Sequence, residues 1–118
     1  MSVAILDVAF EEAITITGEA GYAHFAMQVK ELAMQEDPTH SDTVDLRPIE
    51  EYHEIRDHGG PLGNINVRVF FAIDINRRTI VVLGTIKKQN NGPTPKGDKT
   101  TMTRRLKKYR RGEYGFLA

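Results

Sequence analysis

The sequence predicts an α+β protein. Helical periodicity fills its first third, two runs of β-branched and aromatic residues fill its middle, and a basic helical stripe lies near its end. At 118 residues the chain fits one domain, residues 1 to 118, large enough to remove roughly two thirds of its unfolded surface from water.

The first element, Asp7 to Ile16, sets Val8, Phe10, Ala13, Ile14 and Ile16 around Glu11 and Glu12, a pattern that suits a short helix or a strand. Glu19 to Gln35 is an amphipathic helix: Tyr22, Phe25, Val29 and Leu32 recur at helical spacing, and Glu19, Gln28, Glu31 and Gln35 lie on other faces. It stops in Glu36-Asp37-Pro38, and the polar stretch through Asp45 reads as a connecting loop. Ile49 to Asp57 is the first strand, followed by the turn-rich His58 to Gly63. Asn66 to Ile75 and Thr79 to Lys87 form an antiparallel hairpin about Asn76-Arg77-Arg78. Asn90 to Pro95 breaks the chain, and Thr100 to Arg111 is a last helix docked by the narrow seam of Met102, Leu106 and Tyr109.

Alternation divides the hairpin into two faces. Val67, Val69, Phe71 and Ile73 share one with Ile80, Val82, Gly84 and Ile86, the side for helices to cover. The other carries Arg68, Phe70 and Ala72, with Arg68 opposite Thr85 and close to Lys87, so two cations are expected beside uncovered apolar surface.

Charge is uneven along a chain whose net charge is zero. Residues 1 to 51 carry eleven acids against Lys30 and Arg47, a balance of −9; residues 87 to 111 carry ten bases against Asp98, a balance of +9. The basic run is either a footprint for nucleic acid or an acidic partner, or the solvated face of a helix paired to the acidic half. The absence of cysteine excludes disulfides, thiolate nucleophiles and cysteine zinc sites. His24, His40, His53 and His58 lack metal-ligand spacing, so no metal is expected. Without a membrane-length apolar run, and with no basic residue ahead of the apolar start, the chain reads as cytoplasmic.

Four short strings carry a family resemblance: Tyr52-His53-Glu54-Ile55-Arg56, Val67-Arg68-Val69-Phe70-Phe71, Gly84-Thr85-Ile86-Lys87-Lys88 and Thr94-Pro95-Lys96. In this order they resemble the RelE/ParE toxin superfamily, most closely its HigB-like branch, over about residues 45 to 112. The resemblance implies N-terminal helices packed on a small curved antiparallel sheet, with a basic C-terminal helix. It implies a toxin of a type II toxin-antitoxin module, a ribosome-dependent mRNA endoribonuclease without cofactor, whose partners are a cognate antitoxin, the ribosome and mRNA. Two alternatives go with it: a ParE-like gyrase inhibitor that acts by binding protein, and a catalytically inert RNA-binding member.

By position, Arg68 matches the family arginine that contacts the scissile phosphate, Lys87 and Lys88 the basic pair closing the last strand, and Arg56 the arginine of the first matched strand. Cleavage by the ribose 2′-hydroxyl needs a base, cations for the charge growing on phosphate, and a proton donor for the departing oxygen. Arg68 suits bidentate phosphate contact, and Lys87 or Lys88 supplies a point charge or a base. His53 and Tyr109 are candidates for proton transfer, each against a plain reading, a satisfied strand histidine and a seam residue respectively. Arg56, Lys96, Lys99, Arg104, Arg105 and Lys108 are the expected RNA-binding residues.

Overall fold

Apolar residues that continue without alternation along two central strands require cover on both sides, and the architecture supplies it. The computed structural model describes residues 1–41, 44–58, 66–88 and 92–113. Its order is β1 (Ser2–Ile5), α1 (Asp7–Ala33), β2 (Asp45–Pro48), β3 (His53–His58), β4 (Asn66–Asp74), β5 (Thr79–Lys88) and α2 (Lys96–Arg110). The five strands lie in the order β1-β5-β4-β3-β2. Strand β1 runs parallel to β5 and the other pairs are antiparallel, so the sheet is mixed rather than antiparallel as expected.

Helix α1 is two arms. Gly18 interrupts it with φ 74° and ψ −177°, a left-handed conformation open to glycine at little cost. The edge of Phe10 meets Tyr22 with ring centroids 4.9 Å apart; twelve positions of unbroken helix would hold them roughly 18 Å apart, so the arms fold back on each other. Asp7 to Ile16, open between helix and strand in the sequence, is thus helical, and the second arm carries the expected Phe25, Val29 and Leu32 into the core.

The hairpin β4/β5 keeps the predicted register from its turn to Phe71↔Val82, after which a bulge at Leu83 shifts it by one residue. Phe70 then pairs with Gly84, Val69 with Thr85 and Arg68 with Ile86. Arg68 is therefore not opposite Thr85, and Lys87, opposite Val67, lies on the other face from it. Val69, Val82 and Thr85 line a small gap with Ala9, Phe25 and Val29 of α1, whereas Ala72 and Val81 meet Leu106 and Tyr109 of α2. The two helices cover opposite faces, and the side expected to be open is sealed. Close approach of α2 depends on Gly84, where a Cβ would come 2.5 Å from Arg105 Nη1 and 2.5 Å from Met102 Cε.

Strand β5 outruns β1, which pairs only to Val82. Beyond that point Glu12 Oε1 accepts the Thr85 N–H at 3.2 Å and Arg105 Nη1 donates to the Leu83 carbonyl at 2.9 Å, while Arg105 pairs with both Glu12 oxygens at 2.7 and 2.9 Å. A charged pair from the two helices thus satisfies sheet groups that a longer β1 would have bonded. Strand β2 was not expected and begins where the expected loop ended, at Asp45; the strand expected from Ile49 starts only at His53, because Ile49 to Tyr52 form the β2–β3 turn, closed by Ile49 N–H to the Tyr52 carbonyl at 2.8 Å. The expected turn residues Gly59 to Gly63, and Asn90 and Asn91, lie outside the described residues.

Candidate functional site

Arg68 is where the catalytic expectation meets the fold. Strand β4 directs it to the α2 face, and the segment Gly92–Pro95 that leads into α2 closes over it, leaving no exposed surface. Its Nη1 donates to Thr94 Oγ1 at 3.1 Å and its Nη2 to the Gly92 carbonyl. The Thr94 hydroxyl donates to Glu54 Oε2 at 2.5 Å, and Glu54, itself fully buried, lies 3.9 Å from Arg68 Nη1. Burial pulls the Arg68 guanidinium below its ordinary pKa, opposed by the Glu54 carboxylate. The expected exposed phosphate clamp is corrected: this arginine is an internal counterion that fastens the lead-in to α2 onto the sheet.

Arg56 belongs to the same cluster. It stands opposite Arg68 in the β3/β4 register, an arrangement of like charges made tolerable by Glu54, whose Oε1 accepts Arg56 Nε at 2.6 Å. It is mostly buried and turned to that carboxylate, so it is not placed as an RNA contact. Arg105 is likewise engaged with Glu12 and Leu83 rather than presented outward.

The other catalytic candidates do not converge. Lys88 shares Arg68's face and donates to the Pro93 carbonyl at 3.0 Å, while Lys87 is exposed on the α1 side. His53 is half-buried, stacked on Phe71 with centroids 5.6 Å apart; burial holds its pKa below the ordinary value, with Asp37 acting the other way. Tyr109 is buried in the seam and donates to Asp74 Oδ2 at 2.7 Å. Asp74 pairs with Thr79 at the turn end of β5, roughly 26 Å of strand from Lys87. Five side chains spread over two faces and two ends of a sheet form no common reaction centre.

What the fold does gather is a cationic groove on the solvent side of α2. Lys96, Lys99, Arg104, Lys107 and Arg111 line it with Thr100 and Thr103, about 530 Å³ open to water, with Glu50 on one wall. Positions 96, 99 or 100, 103 or 104, 107 and 111 recur every three to four residues, so they stack along one face of α2 over about 22 Å. Lys96, Lys99 and Arg104 were expected here; Lys107 and Arg111 belong to the basic run but were not singled out, and it is the turn from Lys96, not foreseen as helical, that brings all five into one row. Lys108 lies off this face, half-buried. The helix suits its charges: Asp98 stands in the first turn and Lys107, Lys108 and Arg110 in the last, each complementing the local end of the helix dipole. Gly112, at φ 73°, closes it by donating to the Tyr109 carbonyl at 2.9 Å.

No family model matches the chain, and no curated protein matches it. Among the described residues no group of His, Asp or Glu could hold a metal ion, and no helix is long and apolar enough to cross a membrane.

Proposed function

We propose that the protein is a cytoplasmic toxin of the RelE/ParE type, HigB-like, that inhibits translation by engaging RNA at the ribosome through the solvent face of α2, with a cognate antitoxin as its natural partner. One observation carries this reading: the arginines nearest the core are neutralised internally, whereas Lys96, Lys99, Arg104 and Lys107 are set along one open helical face. Such a row attracts a phosphodiester backbone without reading bases, and its binding weakens steeply with salt. The sequence strings named above support the family reading, as does an α+β fold in which an antiparallel run of strands is followed by a basic helix.

Message cleavage by 2′-hydroxyl attack belongs to the proposal in a changed form. Arg68 acts only by holding Gly92–Pro95, and contact with the reacting phosphate falls to Lys87 and Lys88 at the far end of β5. The test is induced expression followed by mapping of mRNA 5′ ends. In-frame cuts accompanying growth arrest, lost in Lys87→Ala/Lys88→Ala, are expected. Arrest with intact message and blocked DNA supercoiling would replace this reading with gyrase inhibition. Salt-sensitive RNA binding without arrest would leave an inert RNA-binding protein.

A further inference from the structure

The cationic groove already holds an anion of its own. The turn between β2 and β3 brings Glu50 to the groove wall, where its Oε2 accepts the Thr103 hydroxyl at 3.1 Å. The next residue, Glu51, pairs through Oε2 with Arg110 Nη1 at 3.3 Å on the flank of α2. The turn is anchored from below: Ile49 N–H bonds the Tyr52 carbonyl, and the Tyr52 hydroxyl donates to the Lys99 carbonyl at 3.0 Å. Tyr52 is buried, so this last bond fixes the height of the turn against the helix. Both acids are exposed, and an exposed ion pair holds its partners only weakly.

We infer that Glu50, buttressed by Glu51, is an internal competitor for the α2 groove, an autoinhibitory contact that a phosphate backbone must outcompete or displace before it can lie along the helix. This rests on the proposed binding of RNA by that face. A carboxylate lining the same groove as a row of cations lowers the local potential on which counterion release draws, and it repels each phosphate brought beside it. Weak exposed contacts make the two acid side chains displaceable, so the competitor sets a threshold in ionic strength without blocking the site. The buried bond of Tyr52 keeps the backbone in place when the acid side chains give way.

The experiment titrates a fluorescein-labelled 20-nucleotide oligouridine with the full chain, Glu50→Gln, Glu50→Gln/Glu51→Gln, and the control Glu19→Gln. The control removes the same charge from the α1 hairpin, on the opposite side of the sheet. Glu50→Gln is expected to bind about three- to tenfold more tightly at moderate salt, the double variant more tightly still, and Glu19→Gln within about twofold of the parent. The higher-affinity variants should also stay bound to higher salt. Equal binding by the parent and both Glu50 variants, or equal tightening by Glu19→Gln, overturns the competitor and leaves the RNA-binding reading standing. If no form binds, the proposed function and this inference fall together. Melting curves on each variant check that the fold is intact.

Discussion

Cations on the inner side of this protein and cations on its outer side come from the same residue types but do opposite work. Arg68 and Arg56 rise from the sheet and Arg105 reaches toward it from α2; each bonds a carboxylate or carbonyl of the chain itself, although Arg68 Nε is buried without a partner among the described residues. Lys96, Lys99, Arg104 and Lys107 lie one helix away and face water. A buried arginine without its counterion is costly, so its charge is committed to the fold and cannot also be lent to a ligand. An exposed lysine contributes little to stability, which leaves its charge available for binding. Charge density along a sequence does not distinguish these fates; the cover over each side chain does.

The strongest way to break the comparison is at Arg68. Arg68→Ala leaves buried Glu54 with Arg56 and the Thr94 hydroxyl but one cation fewer, and strips Gly92 and Thr94 of their donor, so unfolding in urea should show a loss of about 3–5 kcal/mol. Arg68→Lys keeps the charge without the planar fork and should fall between the two. RNA binding measured on folded Arg68→Lys should match the parent; a large loss of affinity with stability retained would restore a direct role in contacting phosphate. The opposite pattern is expected from Lys96→Ala/Lys99→Ala/Arg104→Ala/Lys107→Ala. Oligonucleotide binding should weaken about 100-fold at low salt, and the slope of log affinity against log salt should shrink by about 0.7 for each cation removed. Its unfolding midpoint should barely move, since the substitutions lie on the surface. Comparable losses of stability in the two variants would erase the distinction between inner and outer cations.

Where the sequence was legible, one local signal dominated. The second arm of α1 was readable because Tyr22, Phe25, Val29 and Leu32 recur at helical spacing, and the β4/β5 hairpin because its two runs are rich in β-branched and aromatic residues about a polar turn. Strand β1 has only four residues, and β2 carries Asp45, Arg47 and Pro48, the composition of an edge rather than of a central strand. The bulge at Leu83 has no local signature and moved Arg68 by one partner. In the site, the basic cluster was legible but its division into inward and outward members was not, because that depends on α2 lying over the face carrying Phe70 and Ala72. A signal for it existed: Val69-Phe70-Phe71-Ala72 and Ile80-Val81-Val82-Leu83 are unbroken apolar runs, the pattern of strands buried on both sides. An arginine inside such a run calls for a buried acid, and Glu54 on the neighbouring strand was there to be found.

The subtlest test lies on the inner face of α2, where Tyr109 bonds Asp74. Burial first, and then the Asp74 carboxylate, raise the Tyr109 hydroxyl above its ordinary pKa; Asp74 is lowered chiefly by the bond from Tyr109. A raised phenol stabilises the fold below its unfolded value near ~10, and that contribution disappears as pH climbs through the higher folded value. A lowered carboxyl stabilises above its unfolded value near ~3.9, and its contribution disappears as pH drops through the lower folded value. One bond is therefore lost at both extremes of pH. Tyr109→Phe should cost about 1–2 kcal/mol at neutral pH and flatten the melting-temperature profile at both ends. Part of the alkaline fall should persist, because burial also raises Tyr52. RNA affinity near neutrality should be unchanged, since the phenol lies on the side of the helix away from the groove. A variant whose pH profile overlays that of the parent would show that the Tyr109–Asp74 bond adds nothing to the hold on α2, leaving that hold to the apolar seam and to Arg105 and Tyr52.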